Sequence, residues 1–129
     1  MEVDIPEVKK EVEAVFALYE TALVTNDVGT LDALFRDDPR TLRYGVGENL
    51  YGMAAIREFR RGRSPAGLAR KLERTIITTY GRDLATANTL FYRDSSPGKV
   101  GRQSQCWVRF EDGWHIVAAH VSVIDKPSA

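Results

Sequence analysis

Apolar residues return at intervals of three and four through the first part of the chain: Val8, Val12, Val15, Phe16, Tyr19 and Leu23. That spacing winds them onto one face of a helix, leaving Lys9, Lys10, Glu11, Glu13 and Glu20 on the other. Pro6 suits the first turn of such a helix, because its missing N–H is not needed there. Asn26-Asp27 and Gly29-Thr30 then interrupt the pattern. Leu31, Leu34 and Phe35 predict a short second helix that ends before Asp37-Asp38-Pro39. Residues 41–46 read as a strand, 45–49 as a turn, and Leu50-Tyr51 as another short strand. A third helix is expected over 53–61, burying Ile56 and Phe59. Beyond residue 70 the period changes from helical to alternating. Lys71 to Tyr80 is rich in β-branched residues and is stopped by Gly81-Arg82-Asp83. Strands are expected over 84–93, 103–111 and 114–124, with a loop over 94–101 and a hairpin turn at Asp112-Gly113. Helices followed by a run of antiparallel strands describe an α+β chain with its helices on one face of a curved sheet.

The chain has 129 residues, 43% hydrophobic and 28% charged, which suits one domain, 1–129, with a single core. A chain of this size buries roughly two-thirds of the surface its unfolded form exposes. Eighteen basic and eighteen acidic side chains cancel, so the basic excess of a nucleic-acid binder is absent. No apolar run approaches a membrane span, the acidic first residues are no signal peptide, and the lone Cys106 has no internal disulfide partner. A soluble, cytoplasmic protein that binds neither membrane nor nucleic acid is the expectation. The charge is unevenly distributed: residues 1–40 are mostly acidic, whereas Arg57, Arg60, Arg61, Arg63, Arg70, Lys71 and Arg74 cluster in 57–74. Such a cluster either forms a solvated surface or concentrates small anions.

Few residues could carry chemistry. With one cysteine and two histidines, a Cys/His zinc site lacks ligands, so no metal is expected. There is also no nucleophile elbow, phosphate loop or dinucleotide fingerprint. Tyr19, inside the apolar stripe, is either a core tyrosine bonded to a backbone carbonyl or a proton donor lining a cavity. Arg43 alternates with Leu42 and Tyr44 and therefore points the opposite way. It faces either solvent or the cavity, and inside it would need an acidic partner such as Glu48 or an anionic ligand. His120 is read on one strand face with Trp114, Ile116, Ala118 and Ser122, as a core residue or a water activator. A two-residue turn at Asp112-Gly113 would give it Gln103 and Gln105 as neighbours, and a three-residue turn Ser104 and Cys106.

Two long stretches are more specific. One runs Leu42-Arg43-Tyr44-Gly45-Val46-Gly47-Glu48-Asn49-Leu50-Tyr51-Gly52 and continues through Ile56-Arg57-Glu58-Phe59-Arg60-Arg61-Gly62-Arg63. The other joins Gly101-Arg102-Gln103-Ser104-Gln105-Cys106-Trp107-Val108-Arg109 to Gly113-Trp114-His115-Ile116-Val117-Ala118-Ala119-His120-Val121-Ser122. Both resemble the AtzH-like family, which includes the oxalurate-catabolism protein HpxZ and belongs to the NTF2-like superfamily. Cys106 and His115 stand where a threonine and an arginine are the family's usual residues. The resemblance implies a cone of three N-terminal helices on a strongly curved, mostly antiparallel sheet. It also implies a cofactor-free amidohydrolase that converts 1,3-dicarboxyurea to allophanate beside an amidase-signature hydrolase, in catabolism of urea-like or purine-derived nitrogen compounds. The family's essential tyrosine and arginine match Tyr19 and Arg43. With these as catalytic residues, Arg43 would position the substrate, Tyr19 would donate a proton and water would be the nucleophile. Glu48, Arg60, Arg63, Gln105 and His120 are the expected substrate-binding residues, and a homodimer through the sheet is the expected assembly. The rival expectation is a non-catalytic module that binds a small anionic metabolite or an amidase partner.

Overall fold

A computed structural model describes residues 1–127. Helix α1 (Pro6–Val24) opens at Pro6 and buries Val8, Val12, Phe16, Tyr19, Ala22 and Leu23, as the stripe requires. Helix α2 (Val28–Leu34) is capped by Asp27, whose carboxylate accepts from the Thr30 amide and hydroxyl. It ends one residue earlier than its apolar pattern suggests. Phe35 leaves the helix in extended form and bridges to Ile116, with the Arg36 amide donating to the Ile116 carbonyl. Strands β1 (Leu42–Tyr44) and β2 (Asn49–Tyr51) form a short hairpin before α3 (Met53–Gly62). Four long strands complete the chain: β3 (Lys71–Tyr80), β4 (Leu84–Tyr92), β5 (Lys99–Phe110) and β6 (Gly113–Asp125). Strand β5 begins four residues earlier than its alternation suggests, because residues 99–102 pair with the end of β6.

The six strands form one sheet in the order β2-β1-β6-β5-β4-β3, with β1 and β6 parallel and every other pair antiparallel. Three helices against this mixed sheet give the α+β cone that the sequence resemblance implies. The helices and the inner sheet face share a core in which Val12, Trp107, Ile116 and Ala87 are fully enclosed. No helix among the described residues is long and apolar enough to cross a membrane.

Two irregularities shape the sheet. In β3 an extra residue between Glu73 and Ile76, with Arg74 at a left-handed φ of 53°, bends the strand. In β6 Val117 has no partner: Cys106 pairs with Ala118, but the next rung joins Trp107 to Ile116. The turn is a two-residue loop at Glu111-Asp112, one position earlier than expected, because Phe110 pairs with Gly113. The bulge then shifts the register by one, so His120 lies opposite Ser104. Trp114 and Ile116 point inward, whereas Ala118, His120 and Ser122 lie on the outer face, so the single face expected for these five residues does not exist.

Candidate functional site

The inner sheet face is not apolar throughout. Towards one end of the cone, α1, the β1–β2 hairpin, the end of α3 and strands β4–β6 enclose a cavity of about 410 Å³. Tyr19 enters it from α1, Arg43 from β1 and Gln103 from β5, while Arg63, Arg70 and Arg93 reach in from segments that cap or connect the elements.

Tyr19 is 5% exposed and packs its ring 6.4 Å from that of Phe35. Arg43 points inward because β1 is so short that its alternation is fixed by β6: Leu42 and Tyr44 lie beside Ala118 and His120 on the outer face. Its guanidinium donates to Glu48 Oε1 at 2.8 Å, and Glu48 Oε2 accepts from the Gly47 amide. Gly45 makes this pair possible, since a Cβ there would collide with the Glu48 carboxylate. The Arg70 side chain is 2% exposed, against 15% for Arg43. It forks onto both oxygens of Glu20, with its shortest contact 2.6 Å, and also donates to Gln103 Oε1 at 3.0 Å. Glu20 is therefore an internal counterion, not a member of the solvent face of α1.

Arg63 and Arg93 differ from these two. Neither has a carboxylate partner among the described residues. Arg63 touches Asn26 Oδ1 at 3.4 Å, and Arg93 stacks on the Phe91 ring at 4.8 Å. Both buried Nε atoms lack an acceptor, as does Gln103 Nε2. The orientation of Gln103 follows from its network: the carbonyl oxygen faces Arg70, so the amide nitrogen remains as a donor. Burial lowers the affinity of Arg63 and Arg93 for their protons, and neighbouring arginines add to it: Arg60 and Arg43 around Arg63, and Arg70 around Arg93. Glu48 and Glu20 neutralise two of the four guanidiniums, so the cavity carries a surplus of two positive charges.

The other expected site residues lie elsewhere. Arg60 is 5% exposed but sits behind the cavity wall, donating to Asp32 at 2.5 Å and stacking on Phe35 at 4.4 Å. Burial pulls its pKa down and the Asp32 hydrogen bond opposes this. Gln105 points inward but lies a full strand repeat deeper than Gln103, where its carbonyl accepts from the Trp107 indole N–H at 3.0 Å. His120 is exposed on the outer face, its ring 6.1 Å from that of Tyr44, because the Val117 bulge turns it away from the cavity. Its expected place beside the pocket is thus corrected. Arg70, Arg93 and Glu20 join the site although no sequence pattern singles them out for it. Arg70 belongs to the basic cluster of residues 57–74, whereas Arg93 has no signal beyond the end of a strand.

Every group that the cavity offers without a partner is a hydrogen-bond donor, and two of them carry uncompensated charge. The complement of such a site is a small anion rich in acceptors.

The model of the AtzH-like family matches residues 1–127. No curated protein matches the chain significantly. Among solved structures, a protein of unknown function from the DUF3225 family of Pectobacterium atrosepticum is 54% identical over 95% of both chains, with a TM-score of 0.93. A cystatin-like fold protein from Burkholderia xenovorans is 48% identical over 98% of this chain and 99% of its own, with a TM-score of 0.95. An NTF2-like protein with a cystatin-like fold from Novosphingobium aromaticivorans shares the fold at 22% identity over 95% of this chain and 85% of its own, with a TM-score of 0.73. The chain belongs to the AtzH-like family.

Proposed function

We propose that this AtzH-like chain is a cofactor-free amidohydrolase acting on a small dianionic urea derivative, of which 1,3-dicarboxyurea is the type. One observation carries the reading: a partly open cavity with two surplus positive charges and unpartnered donors, walled on one side by Tyr19. A substrate with a carboxylate at each end would supply the two missing negative charges. A hydrophobic or cationic ligand would leave the orphaned donors unsatisfied.

In this reading Arg43 releases Glu48 and takes up the carboxylate of the reacting end, fixing it beside Tyr19. The Tyr19 hydroxyl donates its proton to the terminal nitrogen as the bond from that nitrogen to the carboxylate carbon breaks. The electron pair stays on nitrogen, giving the free amide of allophanate. Water adds its oxygen to that carbon as the nucleophile and gives a proton to solvent, so this end is released as bicarbonate. A proton from solvent restores the phenol. Both nitrogens remain in allophanate, so this step produces no ammonia. A positioned donor of this kind contributes on the order of 2–4 kcal/mol to barrier reduction.

The same reading takes the protein as a homodimer formed through its outer sheet face. There Leu42, Tyr44, Cys106 and Ala118 line a shallow depression of about 330 Å³. It also takes an amidase-signature hydrolase as a pathway neighbour, in urea-like or purine-derived (oxalurate-type) nitrogen breakdown.

The test follows loss of 1,3-dicarboxyurea, generated in place, and appearance of allophanate and bicarbonate with the purified protein. Tyr19→Phe is expected to lower kcat by about 10²–10³-fold, and Arg43→Gln by a comparable factor in kcat/KM, with both variants folded. A fully active Tyr19→Phe protein would remove the acid role. If the wild type shows no turnover but the dianion raises Tm in an Arg43-dependent way, the chain is a binding module for an anionic metabolite instead.

A further inference from the structure

We infer that Arg63, Arg93 and Gln103 form a second carboxylate-binding subsite, separate from Arg43 and Tyr19, which holds the end of the ligand that does not react and selects dianions over monoanions. The inference deepens the hydrolase reading and rests on it for the role of the held group. The subsite itself rests on the partition of the four guanidiniums. Arg43 and Arg70 each have a carboxylate, Glu48 and Glu20. Arg63 and Arg93 have none among the described residues, yet their Nε atoms are buried. Two unpaired guanidiniums held near each other in a partly desolvated site oppose folding unless a ligand completes them.

Three separate elements bring these groups to one cavity: the residue that caps the end of α3, the residue after β4, and the middle of β5. Their orientation is fixed before any ligand arrives. The Phe91 ring supports Arg93 at 4.8 Å and Arg70 at 4.6 Å. Phe91 in turn occupies the space over its cross-strand partner Gly101, where any Cβ would overlap the ring. Asn26 tethers Arg63, and Arg70 holds the Gln103 amide so that its nitrogen is presented as a donor. Planar forks fixed in this way suit the two oxygens of a carboxylate better than a spherical anion. Arg43 is engaged by Glu48, its counterion on a short hairpin loop. A ligand that exchanges with Glu48 at one end and pairs Arg63 and Arg93 at the other must carry two anionic groups.

Glutarate and pentanoate test this directly. They share a five-atom chain, which matches the C–N–C–N–C backbone of 1,3-dicarboxyurea, and differ by one carboxylate. Calorimetry at fixed ionic strength is expected to show glutarate binding the wild type at least about tenfold more tightly than pentanoate. Arg93→Gln and Arg63→Gln should each remove most of that preference by weakening glutarate while leaving pentanoate little changed. Arg93→Lys, which keeps the charge but loses the fork, should fall between. Equal binding of the two acids by the wild type, binding of neither, or a preference that survives both glutamine variants would overturn the subsite.

Turnover of 1,3-dicarboxyurea separates this inference from the reading beneath it. Arg93→Gln and Arg63→Gln should raise KM more than they lower kcat. Turnover with KM unmoved in both variants would overturn the subsite and leave the hydrolase standing. Arg93-dependent glutarate binding without any turnover would do the reverse.

Discussion

The two ends of α1 face the same sheet but meet different chemistry. Towards its start, Val8, Val12 and Phe16 belong to one core with Trp107, Trp114 and Ile116, and even the polar atom of Trp114 is satisfied, donating to Glu11 at 2.9 Å. Towards its end, Tyr19 and Leu23 face a cavity in which two guanidiniums and one amide lack partners. Both ends leave buried polar atoms unpaired, Thr79 Oγ1 and Gln105 Nε2 in the packed part, but only at the cavity do unpaired atoms belong to charged groups. Unpaired buried charge confined to one region, beside a packed core, is what an anion site looks like before its ligand arrives. Folding free energy is gathered at the apolar end and part of it is spent holding charges together at the other.

Three substitutions bear on that contrast, in falling order of effect. Trp107→Ala, in the fully enclosed end, should destabilise the protein by about 3–5 kcal/mol, read from urea unfolding. A loss below 1 kcal/mol would mean that the core does not reside there. Gly101→Ala should cost about 1–3 kcal/mol by forcing the Phe91 ring aside. Because Phe91 supports Arg70 and Arg93, this variant should also weaken binding of glutarate, whereas Trp107→Ala should not do so in its folded fraction. Arg63→Gln should have the opposite sign. Removing a half-buried charge from beside Arg60 and Arg43 should stabilise the ligand-free protein, read as a higher Tm, by under about 1 kcal/mol since the side chain is partly hydrated. A fall in Tm would show that Arg63 supports the fold and is not held at a cost.

The apolar end was the more legible part of the sequence. The 3.6-residue stripe of α1 and the alternation of β3 to β6 are local patterns, and they placed Tyr19 on the inner face by its position in the stripe. Alternation alone restricted Arg43 to two directions, and its pairing with β6 determined which. The arginine cavity was harder to read because it is assembled across the sheet. Arg93 sits just past a strand, Arg70 just before one, and neither position has a periodicity to reveal its direction. Gln105 was preferred to Gln103 although both point inward, because depth along a strand depends on where the helices end. His120 was misplaced for a sharper reason. A single unpaired residue, Val117, lies between it and the turn from which its face was counted.

That unpaired residue also bears on how such a chain diversifies. Removing Val117 would restore a regular ladder and rotate everything beyond it by half a turn. Ala119 and Val121 would exchange places with Ala118, His120 and Ser122. A one-codon deletion would thus bring an imidazole and a hydroxyl to the inner face, and in the same event remove two small apolar residues from it. Substitutions can alter the lining of the cone one side chain at a time, but a length change at this position alters its inner and outer surfaces together.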